Sequence, residues 1–206
     1  MRNRQLGSVL IVSLILLLLL TLVGVAGMNM TSLEERMSGN FKDQEMAFQA
    51  AEAALVEAEN FIENTNLGLE FFYTDSSGTP TCSGTDCFNN TCTGGGSGGL
   101  CFTGVFTVSS EPVNSCELDD TKPWESMSRW ALGTQVVEAQ AITDVSAQAR
   151  YIIEFRCFTV RDDENSAPDP TQLVQWALQF RITALANGGT GDSRVMLQST
   201  YKKLDF

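Results

Sequence analysis

The sequence contains no histidine, and this absence narrows the chemistry that the chain can perform. Histidine is the commonest general base in enzymes and the commonest metal ligand in proteins. The chain also lacks a CxxC pair and the lysine of a GxxxxGK[ST] phosphate loop. We therefore predict no catalytic residue, no cofactor and no metal site, and we expect a structural protein rather than an enzyme.

Basic residues are scarce as well, with 13 lysines and arginines against 25 aspartates and glutamates and a net charge of −12. Nucleic acids and anionic lipids are bound through basic patches. The charge balance therefore predicts that the chain has no nucleic-acid partner.

Charge is missing altogether from one long stretch near the start of the chain. From Val9 to Gly27 no residue is charged, and the only polar side chains are Ser13 and Thr21. About 20 helical residues span the roughly 30 Å hydrocarbon core of a bilayer. Residues 8–28 are therefore predicted to form a transmembrane helix.

The residues before this run predict its orientation and its processing. Arg2 and Arg4 mark the preceding side as cytoplasmic. A secretory signal is cut after its apolar region, but the small-residue junction here, Gly7 and Ser8, lies before that region. A cut at this junction would remove only residues 1–7, so we predict a short leader peptide and a retained helix.

The helical pattern continues over residues 29–65 but becomes amphipathic. Large apolar side chains recur every seven residues, at Phe41, Phe48, Leu55 and Ile62, and alanines repeat beside them. This spacing forms an apolar stripe on one helix face. We expect one continuous helix from Val9 to about Asn64, with the stripe of its second half facing a domain.

Residues 66–206 are predicted to form that domain, around a small antiparallel sheet. A short helix is predicted over Trp124–Leu132. Strands are predicted where apolar residues alternate, at Phe102–Ser109, Val136–Ala139, Arg150–Val160, Leu173–Ala186 and Arg194–Lys202. A glycine-rich turn joins the last two strands as a hairpin. The fold class is α+β, with a long N-terminal helix packed on the sheet.

The alternation also predicts which side chains face the core. In the first long strand, Tyr151, Ile153, Phe155 and Cys157 share one face. In the next strand, Arg181 and Thr183 are among the residues predicted to face outward. This assignment of faces assumes that each strand packs on the core with one face and exposes the other face to solvent.

All six cysteines follow the apolar run, on the side opposite the basic leader: Cys82, Cys87, Cys92, Cys101, Cys116 and Cys157. An even number of cysteines in a non-cytoplasmic domain is typical of disulfides. The first four lack the paired CxxC steps of most zinc sites. We therefore favour disulfides that staple a surface loop, and the spacing leaves their pairing open.

An acidic loop at residues 162–170 carries carboxylates of the kind that bind calcium. It lacks the DxDxDG pattern followed by a distal glutamate. A solvated loop is the favoured interpretation, and calcium binding is left open.

A basic leader ending in glycine, followed by a retained apolar helix that becomes amphipathic, resembles the type IV prepilins and the type II secretion pseudopilins. Within that group the chain resembles the PilX-type minor pilins. The similarity rests on Gly7 with its apolar run and on segments at both ends of the chain, at residues 32–40, 47–55, 150–154, 180–184 and 197–201. The cysteine-rich middle carries no matching motif.

The resemblance implies a subunit that changes location. A prepilin peptidase would cut before Ser8 and methylate the new amine, while the helix holds the subunit in the inner membrane with its domain in the periplasm. The subunit would then join an extracellular pilus with other minor and major pilins. PilX-type subunits are associated with priming pilus assembly near the tip, with a large tip adhesin, and with twitching motility and surface attachment.

One position departs from the family pattern. Most pilins carry glutamate at the fifth mature position, where it is thought to meet the N-terminal ammonium of a neighbouring subunit, but this chain has Val12. A carboxylate in an apolar seam is costly unless it is paired. Its absence removes one docking cue, so we expect a subunit at or near the filament tip. The alternative is that Val12 only keeps the helix apolar.

Two other functions share many of these features. A minor pseudopilin of a type II secretion system would have the same N-terminal pattern. A bitopic membrane-anchored redox protein or enzyme would use the extracytoplasmic cysteines. The C-terminal strands favour the pilus, and the missing CxxC motif disfavours redox chemistry.

Overall fold

The computed structural model describes residues 8–67, 87–89, 91–94, 98–102, 122–140, 142–162 and 172–204. The chain divides into two compact units, Met1–Lys42 and Asp43–Phe206. Several predicted features lie outside the described residues: Gly7, Cys82, Cys116, the strand over 103–109 and residues 163–170 of the acidic loop.

Helix α1 runs without interruption over Ser8–Asn64, which confirms the predicted continuous helix. Its first part is rich in leucine and its second part in alanine and glutamate, all of which favour helix. It also contains no proline. At its end the amide of Thr65 donates to the carbonyl of Phe61 over 3.0 Å, and the side chain of Asn64 donates to the carbonyl of Asn60 over 2.8 Å.

The described residues form one five-stranded sheet. Its strands are β1 (Leu100–Phe102), β2 (Val137–Glu138), β3 (Arg150–Val160), β4 (Trp176–Asn187) and β5 (Arg194–Lys203). The main order is β1-β3-β4-β5, and β2 also pairs with β3. Strands β4 and β5 pair antiparallel from Asn187 opposite Arg194 to Leu178 opposite Lys203, which confirms the predicted hairpin.

The sheet is mixed rather than purely antiparallel, so the prediction is wrong at one edge. Strand β1 runs parallel to β3, with Leu100 opposite Ile153. A parallel pair needs a crossover connection instead of a tight turn, so no local turn signal announces it.

Three short helical elements also differ from the prediction. A 3₁₀ turn at Pro123–Glu125 and helix α2 at Met127–Ala131 replace the single helix predicted over Trp124–Leu132. Another 3₁₀ turn occupies Leu173–Gln175, so β4 begins at Trp176.

The main core lies between α1 and one face of the sheet. From the helix it takes mainly small residues, Ala50, Ala51, Ala54, Ala58 and Ile62. From the sheet it takes large ones, including Tyr151, Ile153, Phe155, Trp176, Leu178, Phe180 and Ile182. Small side chains on one surface let the helix backbone approach the aromatic surface closely, as dense packing requires.

The predicted stripe is therefore only partly the buried face of the helix. Ile62 is fully buried and Leu55 packs partly against the core, but Phe48 is 39% exposed. The surface that contacts the sheet is rotated toward the alanines. The prediction that Phe48 faces the domain is wrong, because the close helix–sheet contact selects small residues.

A bulge in β3 changes which side chains face α1. The register shifts between Phe155, opposite Phe180, and Cys157, opposite Gln179. After the bulge Phe158 packs in the main core, with its ring 5.2 Å from that of Phe155. Cys157 pairs with an outward residue of β4, so the prediction that it shares the face of Phe155 is wrong.

The sheet face opposite α1 is covered as well. A second cluster of buried residues lies there, formed by Cys92, Cys101, Trp130, Val136, Ile152 and Leu185. Thr183, which alternates with inward residues, is fully buried. The prediction that this face of β4 points to solvent is wrong, because a covering layer packs on it.

An ion cluster lies within this covered face. Glu154 is fully buried and accepts two hydrogen bonds from Arg181, its cross-strand neighbour, over 2.8 and 2.7 Å. Nη1 of Arg156 lies 3.7 Å from the same carboxylate. The guanidinium of Arg181 also stacks on Trp124, 3.6 Å from the ring centroid. The bidentate pair and the stack together hold the covering segment against the sheet.

Candidate functional site

The candidate assembly element is α1, and its first part belongs to the unit Met1–Lys42. Among the described residues, this helix alone is long and apolar enough to cross a membrane. Its large apolar side chains between Val9 and Met28 are 51% to 76% exposed. A continuous apolar surface of this size needs an apolar environment, so the segment fits a membrane anchor.

The few polar side chains of this segment are satisfied within the helix. The hydroxyl of Ser13 donates to the carbonyl of Leu10 over 2.9 Å, and that of Thr21 to the carbonyl of Leu18 over 2.8 Å. Val12 offers no polar group at the fifth position after Gly7 and is 54% exposed. The segment can therefore enter hydrocarbon without leaving a hydroxyl unpaired.

The next part of the helix mixes apolar residues with polar and charged ones. Met30, Leu33, Met37 and Phe41 are 67% to 74% exposed. Phe41, the first residue of the predicted stripe, belongs to the unit Met1–Lys42, so its burial against the domain stays a prediction.

From Asp43 onward the helix belongs to the second unit, and polar contacts fix it to the sheet. The buried carboxylate of Asp43 accepts hydrogen bonds from the amides of Thr190 over 2.7 Å and Ser193 over 3.1 Å, in the β4–β5 turn. These contacts, led by the Thr190 amide, lower the pKa of Asp43 to about 2. A Cβ atom at Gly188 would lie 2.5 Å from this carboxylate, so the turn needs glycine there.

Three glutamates continue this docking along the helix. Glu57 accepts from the amide of Gln140 over 2.7 Å, and Glu59 accepts from the hydroxyl of Ser199 over 2.9 Å. Glu63 accepts from the hydroxyl of Tyr201. That hydrogen bond, with a smaller effect of burial, raises the pKa of Tyr201 to about 12. These carboxylates of the helix are thus paired with neutral donors of the domain rather than with cations.

The end of the helix is held by a lysine from the last strand. Lys203 is buried, and its ammonium donates to the carbonyls of Ile62 over 2.6 Å, Glu63 over 3.2 Å and Thr65 over 2.6 Å. The final carbonyls of a helix have no partner within it, and a cation there also complements the helix dipole. Lys203 therefore caps α1 at its C-terminus.

The lengths of the hairpin and of the docked helix segment match. From Asp43 to Asn64 the helix rises about 32 Å, at 1.5 Å per residue. Strand β5 has 10 residues, or about 33 Å. Because its turn contacts Asp43 and its end contacts the C-terminus of α1, β5 runs in the same direction as the helix and holds both ends of this segment.

Disulfides are present in the part of the chain that the structure describes. Cys92 pairs with Cys101, which confirms the disulfide prediction for these two residues. Cys87 and Cys157 are disulfide-bonded as well. The Cys92–Cys101 bond lies in the layer that covers the sheet face opposite α1.

The chain matches two family models. The model described as PilX N-terminal matches residues 7–56, and the model described as type IV pilus assembly protein PilX C-term matches residues 75–203. The chain belongs to the PilX family of type IV pilus proteins. No curated protein and no solved structure matches it.

The PilX N-terminal match includes both the apolar part of α1 and the start of its docked segment. The first match begins at Gly7 and continues into the docked segment of the helix, and the second extends to Lys203. The PilX family is a family of structural pilus components, so the chain is expected to interact with other components of a type IV pilus. The matched regions include Asp43 and the domain residues that contact the helix, whereas the last part of α1, with Glu57, Glu59 and Glu63, lies between them.

Sequence reasoning missed the polar docking residues of this PilX-family chain. Asp43 lies on the helix face that continues through Ala47, Ala50 and Ala54, at helical spacings of four, three and four. The position of this carboxylate on the same helix face as the buried alanines could therefore have predicted that Asp43 contacts the domain. For Lys203 the signal was weaker, since its partners are backbone carbonyls about 140 residues away.

The candidate metal features receive no structural support within the described ranges. Those residues contain no group of three or more histidine, cysteine, aspartate or glutamate side chains arranged to hold a metal ion. The acidic loop falls almost wholly outside the described residues, so calcium binding there stays a prediction.

Proposed function

We propose that the chain is a minor pilin that a prepilin peptidase cuts between Gly7 and Ser8. The apolar part of α1 then holds the subunit in the inner membrane, with its domain in the periplasm, until it enters the filament. The observation that carries this proposal is the unbroken helix Ser8–Asn64, which is wholly apolar at its start and docked to a sheet at its end. One element thus serves as membrane anchor and as assembly surface.

Replacing Gly7 by leucine tests the processing step. The Gly7→Leu chain should remain an uncut, unmethylated precursor in the membrane fraction, and it should be absent from sheared filaments. Intact-mass spectrometry of both fractions measures the cut and the methyl group together.

Gly24→Leu is the matched control for this experiment. Gly24 lies within the apolar helix, and a Cβ added there meets nothing within 4 Å. This variant should be cut and methylated like the unmodified chain. Normal cutting and methylation of Gly7→Leu would contradict the proposed processing.

We further propose that the subunit primes pilus assembly at or near the tip, beside an adhesin, and so supports twitching motility and attachment. The supporting observation is Val12, which leaves the first turns of α1 without the carboxylate that would meet a neighbouring amine. Gold labelling of intact filaments should place the protein at filament ends. Labels spread evenly along the shaft would argue against a tip position.

A minor pseudopilin of a type II secretion system remains the second candidate, because the N-terminal features are shared. The match to the PilX C-terminal family over residues 75–203 supports the pilus instead. Deletion of the gene should therefore reduce piliation and leave protein secretion unchanged. Loss of secretion with normal pili would favour the pseudopilin.

A further inference from the structure

A cavity of about 330 Å³ opens beside the end of the sheet where β3 and β5 begin and β4 ends. Helix α2 forms one wall of it. The lining residues are Met127, Trp130, Ala131, Ala147, Gln148, Arg150, Leu185, Asn187 and Arg194. We refer to this space as the arginine cavity.

The lining combines apolar surface with cations. Five of its residues are apolar, and Met127 among them is 50% exposed. The lining includes two arginines and no carboxylate, although the whole chain carries a net charge of −12. The arginine cavity is therefore a local exception to an acidic molecule, which favours an anionic ligand.

The two arginines differ in what they already contact. Arg150 forms an ion pair with Glu138 over 2.8 Å and also donates to the carbonyl of Trp130. Arg194 donates only to neutral groups, the side-chain oxygen of Asn187 over 3.3 Å and the sulfur of Met127 over 3.6 Å. Within the described part of the chain Arg194 forms no ion pair. Its guanidinium has five N–H donors in a planar fork, which suits a carboxylate.

The remaining polar groups indicate what kind of anion fits. The side-chain oxygen of Gln148 accepts from the amide of Ile142 over 2.9 Å, and that of Asn187 accepts from Arg194. Each side-chain oxygen of the lining already accepts one of the two hydrogen bonds that it can accept, so the hydroxyls of a sugar acid would find few free acceptors. An apolar side chain would instead cover the exposed apolar residues of the lining, Met127, Ala131 and Ala147. The volume lies near the lower end of ligand pockets, about 300–1,000 Å³.

We propose that the arginine cavity receives a peptide carboxylate flanked by a large apolar side chain. Arg194 binds the carboxylate, and the exposed apolar surface of Met127, Ala131 and Ala147 receives the apolar group. Assigning that peptide to a neighbouring pilus subunit rests on the proposed function, whereas the binding itself does not. The carboxylate can belong to a chain terminus or to an acidic side chain.

Small peptide probes test this binding on the full chain in detergent micelles, labelled with ¹⁵N. The indole N–H of Trp130, assigned with Trp130→Phe, reports on the cavity wall. N-acetyl-phenylalanine should shift this signal and saturate it with a Kd of about 1 mM, as a ligand of this size permits. Its uncharged amide should bind at least about tenfold more weakly, because it loses the charge-assisted hydrogen bonds to Arg194.

Two variants distinguish binding by Arg194 in the cavity from a general effect of the chain's net charge on binding. Arg194→Gln should weaken N-acetyl-phenylalanine about tenfold and leave the weak binding of the amide unchanged, which also shows that the cavity remains folded. Lys202→Gln makes the same change of charge at the other end of β5, on an exposed residue, and should bind like the unmodified chain. Equal affinity for acid and amide, or equal affinity of the Arg194→Gln variant, overturns the proposal.

Two further probes complete the experiment. N-acetyl-aspartyl-phenylalaninamide carries its carboxylate on a side chain, so its affinity relative to N-acetyl-phenylalanine tells an acidic side chain from a chain terminus. Glucuronate tests the sugar acid, and affinity at least equal to that of the peptide acids overturns the proposal. Failure of peptide binding leaves processing at Gly7 unaffected, so this proposal and the proposed function fail separately.

Discussion

Replacing Ala54 by leucine tests whether small residues set the distance between α1 and the sheet. Ala54 has no exposed surface and lies in the main core, so the extra carbons of leucine must displace its neighbours. Overpacking a dense core costs about 1–3 kcal/mol. Alanine and leucine both favour helix, so helix propensity contributes little to the difference. A loss of about 2 kcal/mol should lower Tm by about 4–8 °C for a domain of this size.

Thermal unfolding of the full chain in detergent, followed by the fluorescence of buried Trp130 and Trp176, measures this change. Ala53→Leu makes the same substitution on the adjacent, exposed residue and should alter the stability by no more than about 0.5 kcal/mol. If both variants unfold at the same temperature, the close approach of the helix to the sheet is refuted.

Two other variants test the polar contacts. Because the pKa of Asp43 is lowered from 3.8 to about 2 in the folded chain, its contribution is complete above about pH 4 and is lost as the pH falls toward 2. Urea unfolding of Asp43→Asn should therefore show a smaller loss of stability over that range than the unmodified chain, and an identical loss would contradict the contact with the β4–β5 turn. Glu154→Ala leaves Arg181 without its buried partner and should cost about 3–5 kcal/mol. Glu138→Ala breaks an exposed ion pair and should cost less than about 1 kcal/mol, so similar losses in the two variants would show that Glu154 is not buried.

The elements of the chain were largely predictable because local patterns specify them. Seven-residue spacing gave α1, and alternation with a glycine-rich turn gave the β4–β5 hairpin. What local pattern could not give was the covering of the second sheet face. Ile152 and Thr183 are fully buried there because of residues distant in sequence, such as Trp130 and the Cys92–Cys101 pair. Alternating apolar and polar residues in a strand indicate that one face of the sheet is buried. They do not indicate whether other segments cover the opposite face.

The choice of helix face failed for a different reason. The seven-residue spacing placed Phe48 on the helix face that was expected to pack against the domain. The aromatic residues of the sheet already fill the space between the helix and the sheet, so the helix contributes alanines. Side chains of the helix and of the sheet fill the same core volume. The sequence pattern of the helix alone cannot show how much of that volume each of them fills.

The docking partners were partly readable. Asp43 stands in line with the alanine face, but its donors are backbone amides of a turn 147 to 150 residues away. Every residue except proline has a backbone N–H, so the sequence does not show which amides will donate to a given carboxylate. The same holds for the carbonyls that Lys203 caps, so these contacts became visible only with the fold.

The parallel course of β5 and the docked helix segment has a mechanical consequence. A force that pulls this segment along its axis would slide it past β5 rather than lift it away from the sheet. The contacts of Asp43, Glu57, Glu59, Glu63 and Lys203 are spread along its length. They would therefore share the load at the same moment instead of breaking one after another. The hairpin makes the attachment of the domain to its helix a shear joint, which resists tension along the helix better than it resists peeling.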